Sequence, residues 1–109
     1  MTAGAYAGML MALLAVTNAA RAADAEAGRR LADHWCASCH VVPDSSATAS
    51  STVRGSDAVP TLASIARDPN RGPNWLREWL TFPHPPMPDL NLSRTEIDDV
   101  VAYLQSLSR

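Results

Sequence analysis

The sequence predicts an all-α chain of about four short helices. Three observations carry that expectation. In the last segment Ile97, Val100, Val101, Leu104 and Leu107 fall at i, i+3, i+4, i+7 and i+10, the spacing of one helical face. Just ahead of them, Ser93-Arg94-Thr95-Glu96 has the S-x-x-E form that caps a helix N-terminus. Nowhere does the chain alternate apolar and polar residues as a half-buried strand does, and it holds no internal repeat.

Taken in order, the first segment stands apart. No charged side chain occurs from Met1 to Ala20, and "MLMALLAV" is a short apolar run. Ala20-Arg21-Ala22 then offers the small-x-small pattern that a signal peptidase cuts after, so residues 1–22 read as a cleaved secretory signal peptide. An uncleaved anchor is the rival reading, since a bilayer needs about 20 residues. The apolar centre here is shorter than that, and much of the rest is Ala, Gly, Thr and Asn. Residues 23–109 form the folded domain.

"DAEAGRRLADHW", residues 24–35, predicts a helix capped by Asp24, with Ala27, Leu31 and Trp35 on one face. Gly28 lies inside it, at a cost of up to about 1 kcal/mol against Ala unless another element packs close there. Residues 41–58 are small, polar and rich in Ser and Thr, hence a loop. "VPTLASIARD", residues 59–68, predicts a short helix with Pro60 near its start. "NWLREWLTF", residues 74–82, predicts another, capped by Asn74, with Trp75, Leu76, Trp79 and Leu80 toward the core. "PHPPMPDLNL", residues 83–92, carries four prolines in six positions and is neither helix nor strand. The helix from Ser93 to the C-terminus ends the chain.

Removing the leader leaves 87 of 109 residues. A chain of that size buries a limited core and gains from a disulfide, a metal or a cofactor. Its two cysteines, Cys36 and Cys39, stand too close together for a disulfide to constrain much chain entropy. There is no lysine; the nine basic residues are all arginine, against eleven acids. No basic face for nucleic acid is to be expected from this balance.

The chemistry lies in "HWCASCHVVP", residues 34–43. A redox dithiol of the thioredoxin kind needs a βαβ setting and a cysteine at a helix N-terminus. Here the cysteines follow a helix and no strand is in sight. Zinc wants four ligands, and only His34 and His84 remain beyond the motif. Cys36-x-x-Cys39-His40 reads instead as a c-type haem attachment site. Each thiol adds to one vinyl group of the porphyrin, and His40 then reaches the iron on the face the peptide already occupies. A large apolar cofactor of this kind would also supply the core that the chain lacks.

On these residues the chain resembles the class I c-type cytochromes, over essentially all of its mature length. "AGRRLADHWCASCH" is similar to the family's N-terminal helix and haem motif, "EIDDVVAYLQSL" to its C-terminal helix, and "PHPPMPDL" to its methionine loop. The resemblance implies a cytochrome c fold with about four short helices around one covalently bound haem c. It implies Met87 as sixth iron ligand beside His40. Met87 is the only methionine left after residue 22, and Pro86 and Pro88 stiffen its loop. His84, three residues away, stays open as a competing ligand; its other reading is a loop residue near the haem edge. His34 is expected to be exposed, and Trp35 to pack against haem or core. In the family a glycine of the first helix meets an aromatic of the last, here Gly28 and Tyr103. Pro60 matches the proline whose carbonyl orients the iron-bound histidine, although Val59 stands where the family has glycine. Trp75 or Trp79 matches a propionate partner, with helix-face packing as the plainer reading.

The expected function is electron transfer in the periplasm by a single haem c with His and Met as axial ligands. That ligation closes both axial positions to substrate, so no catalysis is expected. Partners are redox proteins, met through an apolar surface near Cys36 and Cys39. No membrane insertion is expected after leader removal, and the chain is a monomer or part of a redox complex. The alternatives are a haem subunit of a periplasmic dehydrogenase complex, a ligand-binding or sensing cytochrome, and a Cys-x-x-Cys thiol oxidoreductase.

Overall fold

The computed structural model describes residues 21–45, 54–82 and 84–109. Residues 1–20, most of the expected leader, lie outside them, as do 46–53 of the Ser/Thr-rich loop and Pro83. Among the described residues there are four α-helices and no strand, as the sequence predicts. No helix among them is long and apolar enough to cross a membrane.

α1 spans Ala25–Leu31. Asp24 caps it, its Oδ1 accepting the Glu26 and Ala27 N–H groups at 3.0 and 3.1 Å. The helix does not stop there but widens into a π-helical turn, Ala32–Cys36. The Ala37 N–H returns to the Ala32 carbonyl at 3.1 Å, one residue further back than an α-helix allows. The buried face is Gly28 and Ala32. Ala27 and Leu31 are half-buried and Trp35 is exposed, so the face expected from apolar spacing is displaced by one residue. Small side chains, not large ones, mark this contact, because α4 (Arg94–Leu107) crosses close against it.

That crossing accounts for the glycine. A Cβ on Gly28 would lie 2.5 Å from the Asp99 carbonyl carbon and 2.9 Å from Tyr103 Cβ. Gly28 and Tyr103 therefore meet as the family resemblance implies. α4 itself follows its sequence pattern. The Glu96 N–H donates to Ser93 Oγ at 3.2 Å, and the Ser93 N–H donates to Glu96 Oε2 at 2.7 Å. Ile97, Val100, Val101 and Leu104 are buried, with Tyr103 and Asp99 beside them.

α2 spans Leu62–Arg67, starting three residues later than the expected Val59, because Thr61 Oγ1 supplies the cap to the Ser64 N–H. α3 spans Pro73–Thr81. Gly72 precedes it and Pro73 takes its first position, where the missing N–H costs nothing. Asn74 is thus inside the helix rather than its cap, and accepts from Arg77 at 3.1 Å. Leu76 is buried and Leu80 packs on the core. Trp75 and Trp79, expected there too, are 38% and 37% exposed. The Arg77–Asp98 ion pair at 2.8 Å docks α3 on α4 and turns the Leu76 side inward. The two tryptophans, one residue round the helix, are left at the surface. All three shorter helices pack on α4, which is the hub of a small core.

Candidate functional site

The turn after the π-helical segment gathers the sequence motif. The Cys39 and His40 N–H groups both point to the Cys36 carbonyl, at 3.2 and 2.8 Å. Buried Ala37 anchors the turn from below. Both thiols are free, Cys36 half-buried against the core and Cys39 exposed. Burial pushes the Cys36 thiol up to about 11. A redox dithiol needs the opposite shift, toward thiolate. The cysteine also sits at the C-terminal end of a helical segment, where the dipole disfavours negative charge.

His40 is held from a second segment. Its Nδ1 lies 2.6 Å from the Pro60 carbonyl. A carbonyl can only accept, so Nδ1–H donates to it, and in the neutral imidazole Nε2 is then the nitrogen with a lone pair for a metal. The Leu62 N–H donates to the Val41 carbonyl at 3.1 Å, so segments 40–41 and 60–62 are joined by two hydrogen bonds. Pro60 performs the family's orienting contact without the glycine that usually precedes it. A further tie runs from Ser45 Oγ to Asp33 Oδ1, fastening the chain after the motif to the π-helical turn.

Met87 lies on the opposite limb of the molecule's sequence, in a reverse turn closed by its N–H on the His84 carbonyl at 2.8 Å. The Pro85–Pro86 peptide in that turn is cis. Met87 is half-buried in a cleft whose apolar walls are Trp79, Leu80, Phe82, Pro88, Leu90 and Leu92. Leu80, Leu92 and Cys36 pack against the same core. A thioether in an apolar cleft, an imidazole whose Nδ1 is taken by a carbonyl and two free thiols on one turn suit a porphyrin with iron.

The rival ligand lines the same cleft, but its ring is held against one wall. His84 stacks on Trp79, with ring centroids 3.5 Å apart and planes 14° from parallel. Trp79 stacks in turn on Trp75 at 5.0 Å, and the Arg71 guanidinium lies 5.6 Å over Trp75. His34 is exposed, as expected, and meets Trp35 edge-on at 4.5 Å. The column from Arg71 to His84 escaped the sequence reading, although the i, i+4 spacing of the two tryptophans was its visible signal. So did the Ser45–Asp33 tie, for which no local pattern exists. Among the described residues no three His, Cys, Asp or Glu side chains cluster to hold a metal ion.

The family model described as cytochrome c matches residues 25–108. A protein named cytochrome c-552 from Bradyrhizobium diazoefficiens is 44% identical over 99 residues, covering 91% of this chain and 89% of its own length. No solved structure matches the chain. With four helices, a Cys-x-x-Cys-His turn and this match along nearly all its described length, the chain belongs to the cytochrome c family, which transfers electrons on a covalently bound haem c.

Proposed function

We propose that this chain is a periplasmic electron carrier with a single haem c, joined by thioethers to Cys36 and Cys39 and ligated axially by His40 and Met87. The observation that carries the reading is the Nδ1–Pro60 contact at 2.6 Å. It fixes the imidazole tautomer and ring orientation that an iron ligand requires, immediately beside two free thiols. Bound there, the haem supplies one-electron Fe(III)/Fe(II) chemistry. The protein's residues orient and exclude water. Pro60 holds His40; the apolar walls around Met87 keep solvent from its sulfur; Cys39, exposed, marks the edge at which a partner approaches. Met87 is favoured over His84 because the His84 ring is face to face with Trp79. With both axial positions taken by protein, the site has no room for a substrate, and the chain is not an enzyme. Residues 1–22 direct export and are removed; the remainder works with redox protein partners, as a monomer or within a complex.

The test is a spectrum of the reduced, matured protein followed by acid-acetone extraction. Haem that stays with the polypeptide establishes thioether attachment. Met87→Ala is expected to abolish the weak long-wavelength sulfur-to-iron band and to lower the potential. If the band survives, Met87 is not the ligand.

A further inference from the structure

A buried carboxylate that electron transfer does not use stands where the terminal helices cross. Asp99 is 3% exposed. Its Oδ1 accepts the Asp24 N–H at 2.8 Å. Its Oδ2 lies 3.4 Å from Arg21, whose side chain is 61% exposed. Arg21 is the cation paired with Asp99 among the described residues. A carboxylate so far from water depends on such a partner. Yet Arg21 is the middle residue of Ala20-Arg21-Ala22, and cleavage after Ala22 carries it away with the leader.

Cleavage also makes a new cation. Hydrolysis of the Ala22–Ala23 peptide bond adds one water. The departing leader ends in a carboxylate, and the domain begins with an α-ammonium on Ala23. Covalent geometry keeps that nitrogen within about 3.7 Å of the Asp24 nitrogen, which itself donates to Asp99. We propose that Asp99 is the receptor for the processed N-terminus, and that the Ala23 ammonium replaces Arg21 on its carboxylate. The ammonium brings three donors on no flexible stem, against one long contact from an exposed arginine. The other charges at this point are Asp24 and Arg30 from the α1 side and Glu96 from α4. The Asp24 carboxylate is itself occupied by the Glu26 and Ala27 N–H groups. The crossing of α1 on α4 is therefore completed by processing. The inference rests on removal of residues 1–22, which the first measurement below checks separately from haem binding.

The chain has no lysine, so the processed protein has a single primary amine, its own terminus. Intact mass of the haem-loaded, exported protein is expected to place that terminus at Ala23; a terminus elsewhere overturns the proposal and leaves the spectrum untouched. Acylation by an amine-reactive ester at neutral pH then reads the amine alone. The processed chain is expected to react on the order of tenfold more slowly than one carrying a Gly-Ser-Gly extension before Ala23, because a charge-assisted hydrogen bond withholds the lone pair. Asp99→Asn is expected to abolish that difference. Equal acylation rates for the processed and extended chains, a comparison that needs no Asp99 variant to fold, overturn the proposal.

Discussion

A methyl group on Gly28 would have nowhere to go, because the Asp99 carbonyl and the Tyr103 Cβ already fill its place. Alanine is the better helix former by about 1 kcal/mol, but backbone cannot yield as a flexible side chain can. Gly28→Ala is therefore expected to lose about 1–3 kcal/mol net, as overpacking does, measured by denaturant unfolding of the haem-loaded protein; unchanged stability would show that the crossing is looser than its geometry. The motif residues Cys36, Cys39 and His40 were legible because attachment chemistry fixes their spacing. Trp79 was read correctly as a helix residue and wrongly as a core one, since i, i+4 spacing says which residues share a face and not which way the face points. Under the proposed ligation, its contact with His84 keeps that imidazole from competing with Met87. Trp79→Ala is expected to free His84 for the iron and convert part of the protein to a His-ligated, low-potential form without the sulfur band. Adding His84→Ala should restore the band; if it does not, the stack plays no part in ligand choice.

Among the elements, α1 and α4 were recognisable because their caps are written in side chains, Asp24 in one and Ser93 with Glu96 in the other. α3 was displaced by a residue because Gly72 caps it through backbone conformation alone, which leaves no polar signature. The π-helical finish of α1 was invisible, since no residue type encodes a single extra residue per turn. The cap of α1 also gives its stability a pH dependence. Hydrogen bonds from the Ala27 and Glu26 N–H groups hold the Asp24 carboxyl below its ordinary 3.8. The Arg29 guanidinium likewise lowers Glu26 from 4.5. Both groups are depressed in the fold, so their contribution is present above those ordinary values and is lost as pH falls through the lower folded ones. Unfolding free energy measured between about pH 5 and pH 2 should decline, and Asp24→Asn, which keeps the cap oxygen without its charge, should flatten that decline. An unchanged slope would mean that Asp24 is as easily protonated folded as unfolded.

For the molecule as a whole, the core is the limiting quantity. Among the described residues ten apolar side chains are buried, two of them the alanines Ala32 and Ala37, and Val42 and Val101 are the largest that are fully enclosed. A core of this size rarely supplies more than about 3–5 kcal/mol in so short a chain. The cleft beside Met87 and exposed Phe82 and Trp79 complete the picture of a protein arranged around something it does not encode. The processed chain with Cys36→Ala and Cys39→Ala, which cannot attach haem, is expected to lose cooperative thermal unfolding by circular dichroism; a sharp transition would make the polypeptide core sufficient. The π-helical turn Ala32–Cys36 bears on how such a protein varies over time. It inserts one extra position between the stretch that α4 grips and the thiols that must meet a ring. Rotation by about 100° per residue makes that position a phase adjustment, so the two obligations can be tuned separately. A deletion there would set them against each other, and relatives should tolerate changes of side chain at exposed His34 and Trp35 far better than changes in the length of this turn.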